Sequence, residues 1–452
     1  MTALLYTLGV VIFVVAILLS IGLHELGHMI PAKKFGGKVT QYFIGFGPTV
    51  WSKQVGETEY GVKAIPLGGY VKIVGMLPPG ADEHAEQVGV DPGGAPVYRV
   101  RKSNTGMFTQ LVSDARAAEW ETISPDDAER LFYKMPSWKK VVVMAGGPTV
   151  NLVIAFGIFA AVFASYGNPN DVRTTTTVGA ISPCVVPYEE SGRVCEEGDD
   201  PTPAVTAGLQ EGDEIVGFNG TEITDWRELQ GLIRANDSGA AEITVVRDGR
   251  QQTLTTNTRV EARPSDDPAD DPTVTEEVGF LGVTPRSEFV EGGPIYTLRQ
   301  MGDMTVRTVE AIAQLPVKVY GVARAIVGLE ERDPESPMSI VGGGRLAGET
   351  AAHEEFPVTE KVVFLLLLIA GFNFFIGMFN FIPLLPLDGG HIAGALYEAV
   401  RRGFARLRRR PDPGYVDVAR LLPIAYVMGV LMLVMGVVLI VGDLVVPLSP
   451  YS

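Results

Sequence analysis

The stretch ALLYTLGVVIFVVAILLSIGLHELGH, residues 3–28, decides how this chain is read. It is an unbroken apolar run, long enough to cross a bilayer, that closes on an HExxH motif, His24-Glu25-Leu26-Gly27-His28. In a helix, residues four apart share a face, so His24 and His28 can both present imidazole nitrogens to one Zn²⁺. Glu25 projects beside them, where a carboxylate can take the proton of an activated water. The plainer reading is a pair of polar residues packed in a bundle core. Against it, ionisable groups at membrane depth are costly and mark function, and the chain carries only 5 His in 452 residues.

A mean hydropathy of +0.20 over this length is too high for an ordinary soluble protein. Four segments are apolar enough to span a membrane, at about residues 3–29, 142–166, 362–382 and 421–447. The first has no basic start and no small-residue cleavage site, so it is read as a retained span and not as a signal peptide. Formal charge is −16 but uneven. Lys33, Lys34, Lys38, Arg99, Arg101, Lys102, Lys139 and Lys140 lie between spans one and two, and Arg401, Arg402, Arg406, Arg408, Arg409 and Arg410 follow span three. The positive-inside rule assigns both loops to the cytoplasm. The acidic stretch between spans two and three, with Glu196, Glu197, Asp199, Asp200, Asp266, Asp267, Asp270 and Asp271, is then external, as are both termini. Cys184 and Cys195, the only cysteines, fall in that external region, where they form either a disulfide or two free buried thiols. No basic patch with interleaved aromatics is present, so there is no case for nucleic acid.

A second half-site follows span three in Asn380-Phe381-Ile382-Pro383-Leu384-Leu385-Pro386-Leu387-Asp388-Gly389-Gly390-His391. Spans one and three run in the same direction, so HExxH and Asp388 reach the same depth near the cytoplasmic face. Catalytic zinc takes three protein ligands and keeps one position open, and Asp388 can supply the third. The prolines stop the helix and the glycines allow a turn that frees the carboxylate. An ordinary post-helical turn is the alternative. Asn373 and Asn380 lie seven apart on one face of span three. Their amides can bond a substrate backbone, hold the metal-binding turn, or join helices.

Together these residues resemble the site-2 protease family, of the bacterial RseP type. Further matches are Gly45-Phe46-Gly47-Pro48, Ile65-Pro66-Leu67-Gly68-Gly69-Tyr70-Val71-Lys72, Ala145-Gly146-Gly147-Pro148 with Asn151, and Pro337-Met338-Ser339-Ile340. The resemblance implies a zinc intramembrane protease of the bacterial cell membrane with one Zn²⁺ per chain, its metal ligands mapping onto His24, His28 and Asp388 and its general acid/base onto Glu25. It implies a substrate-binding role for Asn380; for Asn373 that role is read from its place on the same face of span three. The implied substrates are single-pass membrane proteins such as anti-sigma factors, already trimmed by an upstream site-1 protease.

The expected fold is an α-helical integral membrane protein with four transmembrane helices, a membrane re-entrant β-hairpin and an inserted extracytoplasmic α+β PDZ domain. Span one with HExxH covers residues 1–31. Residues 36–76 read as short β-rich stretches at 39–46, 58–65 and 70–74, which the resemblance makes a re-entrant hairpin offering an edge for strand addition. A small cytoplasmic sheet without substrate role is the alternative. A cytoplasmic loop spans 77–140, flexible and acidic at 81–94, with a helix start at 124–127. Span two covers 141–167, where Gly146, Gly147, Pro148 and Asn151 suit close helix packing more than a substrate role.

Residues 203–220, an amphipathic stretch at 226–235 and a strand at 242–247 resemble one PDZ domain over 176–262, a peptide groove or a size filter. Residues 264–272 close it as a linker. A linker with an amphipathic helix at 296–329 fills 263–360. Span three with the LDGG motif covers 361–391, a basic cytoplasmic loop 392–420 and span four 421–447. Rival readings are a membrane-anchored PDZ adaptor with a structural metal, in which Glu25 has no task, and a metal transporter, which wants ionisable residues in spans two and four.

Overall fold

The computed structural model describes residues 2–78, 85–90, 96–100, 112, 114–116, 123, 127–190, 193–237, 239–264 and 275–448. It divides into two compact units, Met1–Val162 with Gly293–Ser452, and Phe163–Gly292. In the first, helix α1 (Thr2–Lys34) is about 50 Å long at 1.5 Å per residue, more than a bilayer core requires. Pro31 lies inside it and donates no amide, which leaves the Gly27 carbonyl without its helical partner.

Strands β1 (Val39–Val55) and β2 (Thr58–Ile73) form an antiparallel hairpin that is sharply bent. Gly45 and Gly47 carry φ of 93° and 83°, values that suit glycine, and Pro48 follows. Because of the bend, residues 42–44 are paired on both sides. Tyr42 faces Val71 and Tyr60, and Ile44 faces Gly69 and Val62. Residues 49–55, not anticipated as strand, fold back against 58–63. Phe43 stacks on Tyr70 with centroids 5.6 Å apart. Met29, Ala32, Val39, Ile73, Phe132, Met135, Val143 and Met144 join α1, the hairpin and helix α2 in one core.

Strands β3 (Ala85–Val90) and β4 (Pro96–Val100) pair antiparallel. Of the stretch 81–94, expected as flexible, residues 85–90 are therefore a paired strand, and the remainder lies outside the described residues. The helix start expected at 124–127 also lies outside them, Asp127 excepted. Helix α2 (Ser137–Ser165) is the second apolar helix of spanning length.

The second unit holds β5 (Asn168–Ile181), α3 (Pro203–Ala207), β6 (Glu214–Phe218), β7 (Thr221–Glu222), α4 (Trp226–Ala235), β8 (Ala240–Arg247), β9 (Arg250–Asn257), β10 (Arg259–Pro264), β11 (Thr275–Phe280) and β12 (Val283–Val290). Five strands follow the order β12-β5-β6-β8-β9, with β7 paired to β6. Asp225 caps α4 by accepting the Arg227 amide at 2.8 Å. Leu229 and Ile233, one turn apart, bury that helix on Ile215, Phe218, Ile243 and Val245. Asn219 and Gly220 make the expected turn with φ of 49° and 81°. Cys184 and Cys195 are disulfide-bonded, which closes the alternative of two free thiols.

The unit is wider than the 176–262 read from sequence. β5 begins eight residues earlier, and the chain returns after the linker to pair β11 with β10 and β12 with β5. Residues 263–360 are thus not only linker and helix. β12, interrupted by Pro285, pairs with a strand about a hundred residues earlier, and polar β11 pairs with β10, the strand just before it in the chain. The linker residues 265–272 lie outside the described residues.

Back in the first unit come α5 (Pro294–Ile326), α6 (Ile340–Ala352), α7 (Val358–Asn380), α8 (Asp388–Leu407) and α9 (Leu422–Val445). Four helices are long and apolar enough to cross a membrane: α1, α2, α7 and the segment Val418–Val445 that contains α9. α6, glycine-rich and unanticipated, lies flat on α1, with Phe13 and Tyr6 against Gly343 and Gly348. Ser339 caps it by accepting the Val341 amide at 3.1 Å.

Candidate metal centre

His24 and His28 leave the same face of α1 with ring centroids 4.9 Å apart. Their Nε2 atoms lie 3.2 Å from each other, and each lies 3.3 Å from Asp388 Oδ2. Asp388 is the first residue of α8, so its carboxylate is offered from a helix start. Gly389 and Gly390 are helical and not left-handed. A side chain at either would overlap the backbone of Ile382 or Leu385, so their role is to let the first turn of α8 close onto the turn at 381–387. This differs from the free turn expected of these glycines.

The other nitrogen of each imidazole is engaged. His28 Nδ1 lies 2.8 Å from the Val143 carbonyl and His24 Nδ1 lies 3.0 Å from Asn151 Oδ1, both on α2. Both partners are acceptors, so each Nδ1 carries the proton and each Nε2 is left with its lone pair. The short Nε2 separation is therefore not a hydrogen bond. Three electron-pair donors converge with no proton among them, and Asp388 Oδ2 is buried without a hydrogen-bond donor among the described residues.

The residues fit a zinc ion. Bonds of about 2.0–2.1 Å at tetrahedral angles put ligand atoms about 3.3 Å apart, the spacing found here on all three sides. Glycine at residue 147 keeps side-chain atoms off the two imidazoles: a Cβ there would overlap His28 Nε2 and stand 2.8 Å from His24 Nε2. Gly27 and Gly146 bring α1 and α2 into backbone contact beside it.

Glu25 is half-buried beside the triad, with the Val71 amide directed at its carboxylate. Residues 69–71 of β2 lie against it so closely that a Cβ on Gly69 would stand 3.0 Å from both Glu25 Cγ and Ile21 Cγ2. The structure thus brings together four of the six residues singled out in the sequence. The other two bond within their own helix, Asn373 Nδ2 to Ile369 O at 2.9 Å and Asn380 Nδ2 to Ile376 O at 3.1 Å. Asn373 is fully buried, and its Oδ1 has no hydrogen-bond partner among the described residues. Sequence reasoning missed Val143, and it read Gly147 and Asn151 as helix-packing residues without seeing that both stand against the imidazoles. Asn151 was signalled by its polarity inside a span and by the family match it shares with Ala145-Gly146-Gly147-Pro148, whereas a backbone carbonyl such as that of Val143 leaves no signal.

An HExxH helix completed by a carboxylate from a second helix start, among four spanning helices, defines a membrane metallopeptidase. The chain belongs to peptidase family M50, whose profile matches residues 12–412. It is 34% identical over 459 residues to zinc metalloprotease Rip1 of Mycobacterium tuberculosis (strain ATCC 25618 / H37Rv), covering 99% of this chain and 100% of that protein. Identity to zinc metalloprotease Rip1 of Mycolicibacterium smegmatis is 35% over 464 residues, with the same coverage. Metalloprotease MmpA of Caulobacter vibrioides is 28% identical over 401 residues, 86% of each chain. The resemblance to site-2 proteases is borne out.

Proposed function

We propose that this protein is a zinc endopeptidase of the site-2 type that cuts transmembrane segments of single-pass membrane proteins. His24 Nε2, His28 Nε2 and Asp388 Oδ2 hold the metal, and Glu25 is the acid/base. The observation carrying this reading is the near-equilateral triangle of lone-pair donors, with sides of 3.2, 3.3 and 3.3 Å. The relatives named as zinc metalloproteases support it over nearly the whole chain. Zinc, when bound, supplies Lewis-acid polarisation of a carbonyl and acidifies water. Glu25 takes the proton of the attacking water and returns it to the amine nitrogen that leaves.

A peptide inside a transmembrane helix has its backbone bonds satisfied internally, so it must be held extended before it can be cut. Residues 69–73 pair with 39–44 on one side, and their other edge has no strand partner among the described residues. In our reading this hairpin is re-entrant, and the free edge receives substrate as an added strand next to Glu25. Asn380 and Asn373 assist from α7. The basic loops face the cytoplasm, and both termini and the 163–292 unit face outward.

That unit is a PDZ domain in this account. A groove of about 390 Å³ runs between α4 and the start of β12, lined by Trp226, Gln230, Phe280, Gly282 and Thr284, and would admit a peptide terminus. Substrates are of the anti-sigma type, trimmed first by another protease.

The test is cleavage of a single-pass reporter by the full-length protein in vesicles. Chelation should abolish cleavage, zinc should restore it, and the cut should map within the transmembrane segment. A cut confined to the reporter's soluble flanks would refute the intramembrane reading.

A further inference from the structure

Helix α8 starts at the third metal-binding residue and has two faces. Ala395, Glu398 and Ala405 are buried against the protein, with Glu398 Oε2 2.8 Å from Lys140 Nζ. On the opposite side Leu396, Tyr397, Val400, Phe404 and Leu407 are 52%, 60%, 70%, 52% and 81% exposed. Their spacing of one, four, eight and eleven residues from Leu396 makes a single helical stripe. An exposed apolar stripe of this size marks an interaction surface.

The end of the same helix is basic. Arg406, Arg408, Arg409 and Arg410 are exposed, and none makes an ion pair among the described residues. Arg401 and Arg402 differ. Arg401 bonds the carbonyls of Pro413 and Gly414, and Arg402 pairs with Glu398 and Asp412. Four cations are thus left unneutralised beside an apolar stripe, with the Arg408 guanidinium 4.1 Å from the Phe404 ring centroid.

The surroundings name the occupant. α8 is bracketed by two spanning helices, α7 ending at Asn380 and the next span beginning at Val418, so both ends of the connection are tied to the bilayer. A leaflet with anionic headgroups satisfies both features: hydrocarbon for the stripe and phosphate for the guanidiniums.

We propose that α8 is an interfacial helix that docks on anionic phospholipid, and that lipid charge thereby sets the position of Asp388. Gly389 and Gly390 interlock the first turn of α8 with the 381–387 turn, so the helix and the carboxylate move as one body. The inference rests on the reading above that residues 392–420 lie on the cytoplasmic side, the side of the metal site.

The test uses full-length protein in vesicles of phosphatidylcholine alone or of equimolar phosphatidylcholine and phosphatidylglycerol. Val400→Cys carries an environment-sensitive fluorophore, the native cysteines being held in their disulfide. Lipid-borne quenchers should quench it several-fold more strongly in the anionic vesicles. Replacing Arg406, Arg408, Arg409 and Arg410 with Gln should remove that difference, and replacing them with Lys should restore it. Reporter cleavage should follow the same pattern while zinc content stays constant. Equal quenching in both vesicle types would overturn the proposal. So would quenching that depends on protein concentration, which would assign the face to a second copy. An impermeant thiol reagent applied to sealed vesicles of known sidedness separates failure of the orientation: a label site on the outer face with quenching intact would refute the topology and leave the docking standing.

Discussion

Asn151 on α2 accepts a hydrogen bond from His24 Nδ1 at 3.0 Å, so one imidazole of the site is oriented by a residue 127 positions away in sequence. Asn151 is 1% exposed, and with Val143 it makes α2 the element that fixes both tautomers. Outer partners of this kind are worth about 10–100-fold in metal affinity. Asn151→Leu should weaken zinc binding by about that factor in a competition titration against a chromophoric chelator. Unchanged affinity would remove Asn151 from the account.

A Cβ at Gly147 would overlap His28 Nε2 and crowd His24 Nε2, so if these atoms hold zinc as proposed, Gly147→Ala should lower zinc content toward zero while α2 stays helical. Gly157→Ala on the same helix meets nothing within 4 Å and serves as the control, with zinc content at the wild-type level. Full zinc in both variants would place the ion elsewhere.

Gly69 separates substrate placement from metal binding. A larger residue there pushes residues 69–71 away from Glu25. Misplacement of about 1 Å costs on the order of 10²-fold in rate, so Gly69→Val should lose activity on that scale in a reporter assay and keep its zinc. Loss of both together would mean that the hairpin supports the metal site itself.

The proposed metal-binding half of this centre was legible because its candidate ligands obey a local rule: HExxH puts two imidazoles on one face, and Asp388 sits in a Pro-bounded break after a later apolar helix. The supporting half was not, because Val143 acts through a backbone carbonyl and Gly147 through an absent side chain. The spans were legible from apolar length alone. α6 was not, since the run Gly342-Gly343-Gly344 reads as a helix breaker when its packing against Phe13 is invisible. The last strands of the 163–292 unit escaped for a related reason: β12 is stabilised by pairing with β5, more than a hundred residues earlier.

The 163–292 unit carries a pH signature. Asp199 receives the Arg193 guanidinium at 2.6 and 2.8 Å and the Glu196 amide at 2.8 Å, which holds its carboxyl well below the usual carboxylate range. A folded-state pKa below the unfolded value of about 3.9 contributes stability above that value, lost as pH falls through the folded pKa. The loop should therefore resist an acid protease better in wild type than in Asp199→Asn at about pH 4–5, and the two should converge at more acid pH. A gap that persists at the acid end would assign the protection to something other than this ion pair.

The central claim is that Glu25 moves the proton and does not hold the metal. The direct measurement is reporter cleavage by Glu25→Gln, with zinc content determined on the same preparation. The variant should carry about one zinc per chain, the number a single three-ligand site holds, and show no cleavage. Cleavage at the wild-type rate by the zinc-loaded variant would contradict it.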